Sequence, residues 1–395
     1  MKKILRQTVS FVLLAAMCLS FSACAKKEPA NPNLQITPPK EQQKETLDDV
    51  LNKETDTSCL NDEMALPDSS TEISKKLALQ ALALSSGNDK DKTAELFEKE
   101  GFEVILQNNF EKSSDDPSNT SAYTLGKKTV VYNGKERTLF CIVVRGTNGG
   151  EWYSNFDFAP SKSDEASFAE NFLFTAEDAL IGISNEIGKV GNPLVLVCGH
   201  SRGGATANIL ALLLNSVCGE DNVFAYTFAT PATVKDSSDA VSAENVFNFI
   251  STSDVVPKTP LEKWGYKRIG QDVILQGDED ESKRIEEKMQ TLYEIAPSIS
   301  SYYNDRHSLD GKGLSGDGMT TFELMLFISS FAVDATESDD EFSGVSNLSS
   351  AFPECDFTPL FEIIDDLFKN DGEKAITVLK NHMPATYAEL IEKLN

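Results

Sequence analysis

The chain has 395 residues, 40% of them hydrophobic and 25% charged, which suits one or two folded domains and excludes a fibrous or wholly disordered protein. Its formal net charge is −26. A nucleic-acid partner is not expected, because a protein that neutralises phosphates needs a basic face.

The N-terminus predicts an exported protein. Residues 1–23 combine three basic residues, the apolar stretch VSFVLLAAMCLSF and two small residues, a pattern that is typical of a signal peptide. The small residues directly before Cys24 resemble the lipobox of bacterial lipoproteins. This resemblance implies a diacylglycerol-modified Cys24 that attaches the mature chain to the cell envelope, facing outside the cytoplasm; an ordinary secreted protein is the alternative. Residues 24–65 follow as a polar, proline-bearing tether.

Residues 66–310 begin with two helices and an antiparallel set of strands. Apolar residues at helical spacing predict helices in STEISKKLALQALALSS and KTAELFEKEG, and FEVILQNNF follows as a strand. A hairpin that turns at Asn133-Gly134 is predicted for KKTVVYNGKERTLFCIVVRGT. Because its second strand is apolar, we expect that strand to be central in a sheet.

The chain then alternates helices with strands. The helices are predicted in SFAENFLFTAEDALIGISNEIGKVG and GGATANILALLLNSVCG, and the strands in NPLVLVCGH, NVFAYTFATP and ENVFNFIST. This alternation predicts an α/β fold, a mostly parallel sheet flanked by helices, with ligand-binding groups in the loops after the C-terminal ends of the strands.

Residues 311–395 predict a helical C-terminal extension, which is either a cap over a site or a flank. Its helices are predicted in MTTFELMLFISSFAV, FTPLFEIIDDLF and ATYAELIEKL.

The cysteines favour neither a disulfide framework nor a metal site. Beyond Cys24 they form an odd, scattered set at Cys59, Cys141, Cys198, Cys218 and Cys355. Cys141 and Cys198 lie in apolar, strand-like runs and are expected to be buried thiols. Because the sequence has no CxxC motif and no His-rich spacing, neither a metal nor another cofactor is expected.

A candidate nucleophile lies in VLVCGHSRGGATA. Its pattern Gly199-x-Ser201-x-Gly203 fits the tight strand-to-helix turn that presents a serine in hydrolases built on an open α/β sheet. An ordinary glycine turn is the alternative. A serine nucleophile also needs a base, a carboxylate that orients the base, and donors for an oxyanion. Whether the sequence offers these groups decides between the two interpretations.

The base must come from three histidines. His200 adjoins the serine, and because neighbouring side chains diverge in such a turn, we expect it to pack or hydrogen-bond structurally. His382 lies in the terminal helical segment and is expected to be a solvated surface residue. His307 follows the predicted sheet in the polar segment YYNDRHSLDG and is therefore the predicted base.

The remaining groups can be placed around Ser201 and His307. Asp254 lies just past a strand in a stiff, partly buried loop, which favours an orienting acid over a turn-forming aspartate before proline. The order serine, acid, histidine is the one expected of this architecture. Backbone amides of Arg202, after the nucleophile, and of Thr147, after an earlier strand, are the predicted oxyanion hole.

Five segments in this order, followed by His307, resemble the class 3 lipase family of α/β hydrolases: VVRGT, GHSRGGATA, YTFATP, SDVVPKTP and WGYKRIG. The likeness covers roughly residues 70–310. It implies an esterase that cleaves acylglycerols or related esters through an acyl-enzyme, without a metal. Ser201 then matches the nucleophile, Asp254 the acid, His307 the base, and the amides of Thr147 and Arg202 the oxyanion hole.

Some positions depart from the family pattern, and some alternatives stay open. Arg202 stands where the family usually has leucine. Residues 148–165, with Trp152, Phe156 and Phe158, are either a lid or ordinary core. A phospholipase, a thioesterase or an acyltransferase on the same fold is an alternative function, and so is a tethered binding lipoprotein without catalysis.

Overall fold

The computed structural model describes residues 49–50, 52–111, 121–146, 167–168, 170–235, 242–258, 266–287, 290 and 373–394. The predicted signal peptide, Cys24, residues 148–165 and the first two helices predicted after residue 310 lie outside the described residues.

The strands of the described residues form two sheets. In chain order the strands are β1 (Glu103–Asn108), β2 (Tyr123–Tyr132), β3 (Lys135–Val144), β4 (Ser167–Phe168), β5 (Leu194–His200), β6 (Val223–Phe228), β7 (Val234–Lys235), β8 (Val246–Ser251), β9 (Tyr266–Lys267) and β10 (Gln271–Leu275). The main sheet has the order β1-β2-β3-β5-β6-β8-β10, and a small sheet has the order β4-β7-β9.

The main sheet is parallel from β3 to β10 and antiparallel at its other edge, where β1, β2 and β3 pair. The hairpin between β2 and β3 turns at Asn133 (φ 51°) and Gly134 (φ 73°), the positive dihedrals that a type I′ turn requires. The predicted α/β fold, the hairpin and the central position of its second strand are confirmed. The strand β10 was not predicted.

Helices cover both faces of this sheet. They are α1 (Lys75–Ser85), α2 (Lys90–Lys99), α3 (Glu170–Ile187), α4 (Arg202–Cys218), α5 (Glu373–His382) and α6 (Pro384–Glu392), and residues 279–287 are also helical. Ser74 and Asp89 cap α1 and α2, because each side chain accepts a backbone N–H three residues later.

The core consists of two apolar layers on opposite faces of the sheet. Alternate residues of β5 divide between them: Val195 and Val197 pack with α3 and α4, whereas Leu196 and Cys198 pack with α1, α2 and α6. Because β5 is buried on both faces, its sequence is continuously apolar, as expected of a central parallel strand.

Both ends of the described chain pack on this core. Leu60 and Met64, which fall in the predicted tether, are buried in the layer that also contains α6. Lys53 Nζ lies 2.7 Å from Glu389 Oε1 on α6, and Lys75 Nζ donates to the Leu394 carbonyl at 2.8 Å. Within the described residues, no helix is both long and apolar enough to cross a membrane.

Candidate active site

Ser201 lies between the end of β5 and the start of α4, in a strained backbone conformation. Its φ is 58° and its ψ is −126°, in a region that residues with a Cβ seldom adopt. The Ser201 N–H donates to the Phe228 carbonyl at 2.9 Å, and its carbonyl accepts from the Ala205 N–H at 3.0 Å. These two bonds hold the sharp strand-to-helix turn that exposes a serine in α/β hydrolases.

The motif glycines allow three backbone segments to meet at this turn. A Cβ at Gly199 would collide with the Gly203 carbonyl, and a Cβ at Gly203 would collide with the Val144 carbonyl at the end of β3. Because neither position tolerates a side chain, α4 can start directly against the ends of β5 and β3. The glycine pattern is therefore a tight turn, and this turn holds Ser201 at the C-terminal end of the central strand β5.

Asp254 follows β8 and is fully buried. Its Oδ1 accepts the Val256 N–H at 3.0 Å. Its Oδ2 lies 2.9 Å from His382 Nδ1 and accepts the Tyr387 hydroxyl at 2.8 Å. Asp254 thus has the predicted position just past a strand, and its carboxylate is held by donors from two separate parts of the chain.

The histidine at Asp254 is His382, the last residue of α5, and it is only 8% exposed. The expectation that His382 is a solvated surface residue is wrong. It is buried because Ala385, Tyr387 and Ile391 of α6 carry this end of the chain into the core beside α1. His307 lies outside the described residues, so its assignment as the base stays a prediction.

The His382 ring has a defined proton arrangement. A carboxylate accepts hydrogen bonds, so the Nδ1 that faces Asp254 carries the proton and Nε2 is left with a lone pair in the neutral ring. This is the tautomer that a general base for a hydroxyl requires. Within the described residues, no hydrogen bond joins His382 to the Ser201 hydroxyl; such bonds often tighten only when a substrate is bound.

Two further buried side chains complete this cluster. His200 Nε2 lies 2.8 Å from the His382 carbonyl oxygen, which confirms the expected structural hydrogen bonding of His200. Tyr387 Oη accepts the Ser251 N–H at 3.3 Å while it donates to Asp254. Burial, and then the charge of Asp254, raises the pKa of Tyr387 well above its usual range, so the hydroxyl remains a donor. No local sequence signal marks Tyr387.

Of the two predicted oxyanion donors, Arg202 belongs to the described residues. Arg202 is the first residue of α4, so its amide is at a helix N-terminus, where the helix dipole favours negative charge. The Arg202 side chain is buried with its guanidinium 5.6 Å from the centre of the Phe172 ring. Gly146 lies against the His200 carbonyl, which brings the segment after β3 to the serine. Thr147 itself lies outside the described residues.

Among the described residues, no group of three or more His, Cys, Asp or Glu side chains is arranged to hold a metal ion. Cys141 and Cys198 are buried thiols on adjacent strands, as predicted.

One family model matches part of the chain. The family model of lipase (class 3) matches residues 141–264, which run from β3 past Asp254. A comparison with curated proteins finds no match.

Solved structures of fungal lipases also resemble the chain. A Rhizomucor miehei triacylglyceride lipase has 17% sequence identity and a TM-score of 0.41, with 52% of this chain and 82% of the lipase covered. A lipase from Rhizopus microsporus var. chinensis has 15% identity and a TM-score of 0.39, with 55% and 77% covered.

Proposed function

We propose that the chain is a carboxylic ester hydrolase that cleaves acylglycerol-type esters through an acyl-enzyme on Ser201. The match of residues 141–264 to the class 3 lipase model supports this proposal. His382 is the general base in this proposal, and Asp254 is the carboxylate that orients it. The order serine, acid, histidine along the chain is kept, as in other hydrolases of this architecture.

The observation that carries the proposal is the buried contact between His382 Nδ1 and Asp254 Oδ2 at 2.9 Å. Asp254 follows β8 and Ser201 follows β5, and these strands are parallel, so both residues lie at the same end of the sheet. A buried carboxylate is costly unless it is paired and hydrogen-bonded. Here three donors satisfy Asp254, and the result is a histidine held with one nitrogen on the acid and the other available for a hydroxyl proton.

The reaction follows from these positions. His382 Nε2 takes the Ser201 hydroxyl proton while Oγ attacks the ester carbonyl, and the resulting imidazolium is stabilised by Asp254. The alcohol leaves with the proton from Nε2, and water, activated by the same nitrogen, then releases the acid and frees Ser201. The Arg202 amide and the predicted Thr147 amide stabilise the oxyanion, and each such donor contributes about 3 to 4 kcal/mol in the transition state.

His382 is preferred to His307 because Asp254 already accepts three donors from described residues. An ionised carboxylate accepts about four hydrogen bonds, so at most one position is left for a second histidine.

Two variants distinguish His382 from His307 as the base, since His382→Gln and His307→Gln each replace one imidazole with an uncharged amide. We expect the first to lose activity about 10⁴-fold and the second to stay within about twofold of the wild type.

The experiment that tests the function combines a panel of esters with a fluorophosphonate label. The panel varies acyl length and headgroup, which also distinguishes a lipase from a phospholipase, a thioesterase or an acyltransferase. We expect covalent labelling of Ser201 and loss of both labelling and hydrolysis in Ser201→Ala. Ser216→Ala is the matched control, because Ser216 lies at the far, exposed end of the same helix. Undiminished hydrolysis in Ser201→Ala would refute the proposal. Absence of both hydrolysis and labelling in the wild type would leave a binding protein as the better interpretation.

A further inference from the structure

His200 joins the nucleophile turn to the residue that carries the proposed base. It is the last residue of β5 and directly precedes Ser201, and it is 8% exposed. Its Nε2 lies 2.8 Å from the carbonyl oxygen of His382, a residue 182 positions further along the chain. The two imidazole rings are also in contact, with centroids 4.9 Å apart and ring planes inclined at 46°.

The direction of this hydrogen bond fixes the state of His200. A carbonyl oxygen only accepts, so Nε2 of His200 carries the proton and donates it. Burial, and then the nearby His382, holds the pKa of His200 well below its usual range. His200 is therefore a neutral donor of one fixed tautomer, and it does not compete with His382 for a proton.

The acceptor of this bond lies at a break in the helices. His382 ends α5, Met383 is extended (φ −71°, ψ 144°), and Pro384, which has no N–H, begins α6. The Thr386 N–H donates to the Met383 carbonyl, so it is not directed at His382. The last carbonyls of a helix need partners from outside it, and His200 supplies one at this point.

Two anchors on different strands hold His382. Its side chain contacts Asp254 after β8, and its main chain contacts His200 at the end of β5; β6 lies between these two strands in the sheet. A single contact at Nδ1 would let the ring pivot about Asp254. The second contact removes that freedom, because it fixes the backbone from which the ring extends.

We propose that His200 is a positioning residue whose Nε2–H holds the His382 main chain so that the His382 imidazole stays aligned with Ser201. This inference rests on the proposed function of His382 as the base. Misplacing a catalytic group by about 1 Å can cost about 100-fold in rate, so a lost anchor should lower kcat and leave substrate binding intact.

The test compares side chains that differ in their reach to the His382 carbonyl. His200→Gln keeps an N–H donor at nearly the position of Nε2, whereas His200→Asn has the same amide one carbon shorter. His200→Phe keeps a ring but has no donor. We expect kcat on a soluble p-nitrophenyl ester to fall about 10- to 100-fold in the Asn and Phe variants with KM within about twofold, and to recover to within about threefold in Gln.

Thermal melting and a matched control separate positioning from folding. Tyr226→Phe removes the hydroxyl of a buried tyrosine in the apolar layer that contains α1 and α6. The Tyr226 hydroxyl contacts Ser74, away from Ser201. We expect Tyr226→Phe to melt lower with kcat unchanged. Equal kcat in the Gln and Asn variants, or a wild-type kcat in Phe, would overturn the inference, and so would losses that follow the melting temperature alone. The Gln and Asn comparison decides the matter even if the Phe variant does not fold.

Failure of this inference can be told apart from failure of the proposed function. If His382→Gln is inactive and all His200 variants behave like the wild type, only the role of His200 is refuted. If His382→Gln retains full activity, the proposed base is wrong and the inference falls with it.

Discussion

Replacing Tyr387 with phenylalanine tests how much the buried Asp254 depends on its second donor. The change removes one oxygen and keeps the ring, which packs edge-on to His200 with centroids 5.9 Å apart. Two hydrogen bonds are lost: the one donated to Asp254 Oδ2 at 2.8 Å and the one accepted from the Ser251 N–H at 3.3 Å. Both ends of these bonds are buried, so water does not readily replace the hydroxyl.

The expected magnitude follows from the charge of the acceptor. A hydrogen bond to a charged group contributes about 1.5–3 kcal/mol, whereas a bond between neutral groups contributes about 0.5–1.5 kcal/mol. Tyr226→Phe is the neutral reference, because the Tyr226 hydroxyl accepts the Ser74 N–H at 3.0 Å and donates to the Glu72 carbonyl at 3.5 Å. Both tyrosines are buried residues. We therefore expect Tyr387→Phe to lower the free energy of unfolding about twice as much as Tyr226→Phe does.

The measurement is urea denaturation of both variants at neutral pH, with the free energy of unfolding obtained from midpoint and slope. Ester hydrolysis is followed in parallel, and we expect kcat to fall about tenfold in Tyr387→Phe alone, because Asp254 loses a constraint on its orientation toward His382. Equal destabilisation of the two variants would refute the reasoning, since it would mean that the Asp254 carboxylate gains no more from a buried donor than a neutral group does.

Three further predictions concern His200, the turn and the N-terminus. The pKa of His200 is depressed in the folded chain, so below about pH 6.5 the unfolded chain takes up a proton at this residue and the folded chain does not. Wild-type stability should therefore fall by up to about 1.4 kcal/mol per pH unit more than that of His200→Gln. Parallel urea curves from pH 7.5 to 5 check this, and the same pH dependence of the free energy of unfolding in both proteins would contradict it. Gly203→Ala should lower the free energy of unfolding in urea by about 3 kcal/mol, because its Cβ meets the Val144 carbonyl. Gly191→Ala has open space around it and should change this free energy by at most about 0.5 kcal/mol. Similar losses in both variants would argue against close contact at the turn. Cys24→Ser should move the mature chain from the membrane fraction to the soluble fraction, and mass spectrometry of a wild-type N-terminal peptide without lipid would show that the lipoprotein proposal is wrong.

Local patterns were sufficient for the parts of the fold that depend on neighbouring residues. Asn133-Gly134 predicts its hairpin because both residues tolerate the positive dihedrals of the turn. The Gly199 to Gly203 pattern predicts the turn at Ser201 because the side-chain-free positions are what the close approach of β3 requires. In both cases the physical cause lies within a few residues of the motif.

The strand β10 was missed because it is an edge strand with a weak apolar signal. Four of its five residues, in QDVIL, are exposed or half-buried, and only Leu275 is buried. It pairs with β8 on one side only, so its sequence lacks the continuous apolar run that marks a central parallel strand. Pairing that depends mainly on backbone hydrogen bonds leaves little trace in residue type.

The position of His382 was inaccessible for a different reason: its burial is set by contacts far away in the sequence. Asp254 lies 128 residues before it and His200 lies 182 residues before it. The helix α6, which directly follows His382 and Met383, packs against α1 with its Tyr387 and Ile391 in the apolar layer. Lys53 contacts Glu389 of α6, and Lys75 donates to the Leu394 carbonyl just after it. The predicted C-terminal extension therefore does more than flank the sheet, since the packing that buries α6 is the same packing that brings His382 to Asp254. On the proposed assignment, a change that loosens α6 from α1 should lower catalysis before it unfolds the sheet. The nucleophile and the acid directly follow strands of the sheet, whereas the base lies at the end of α5.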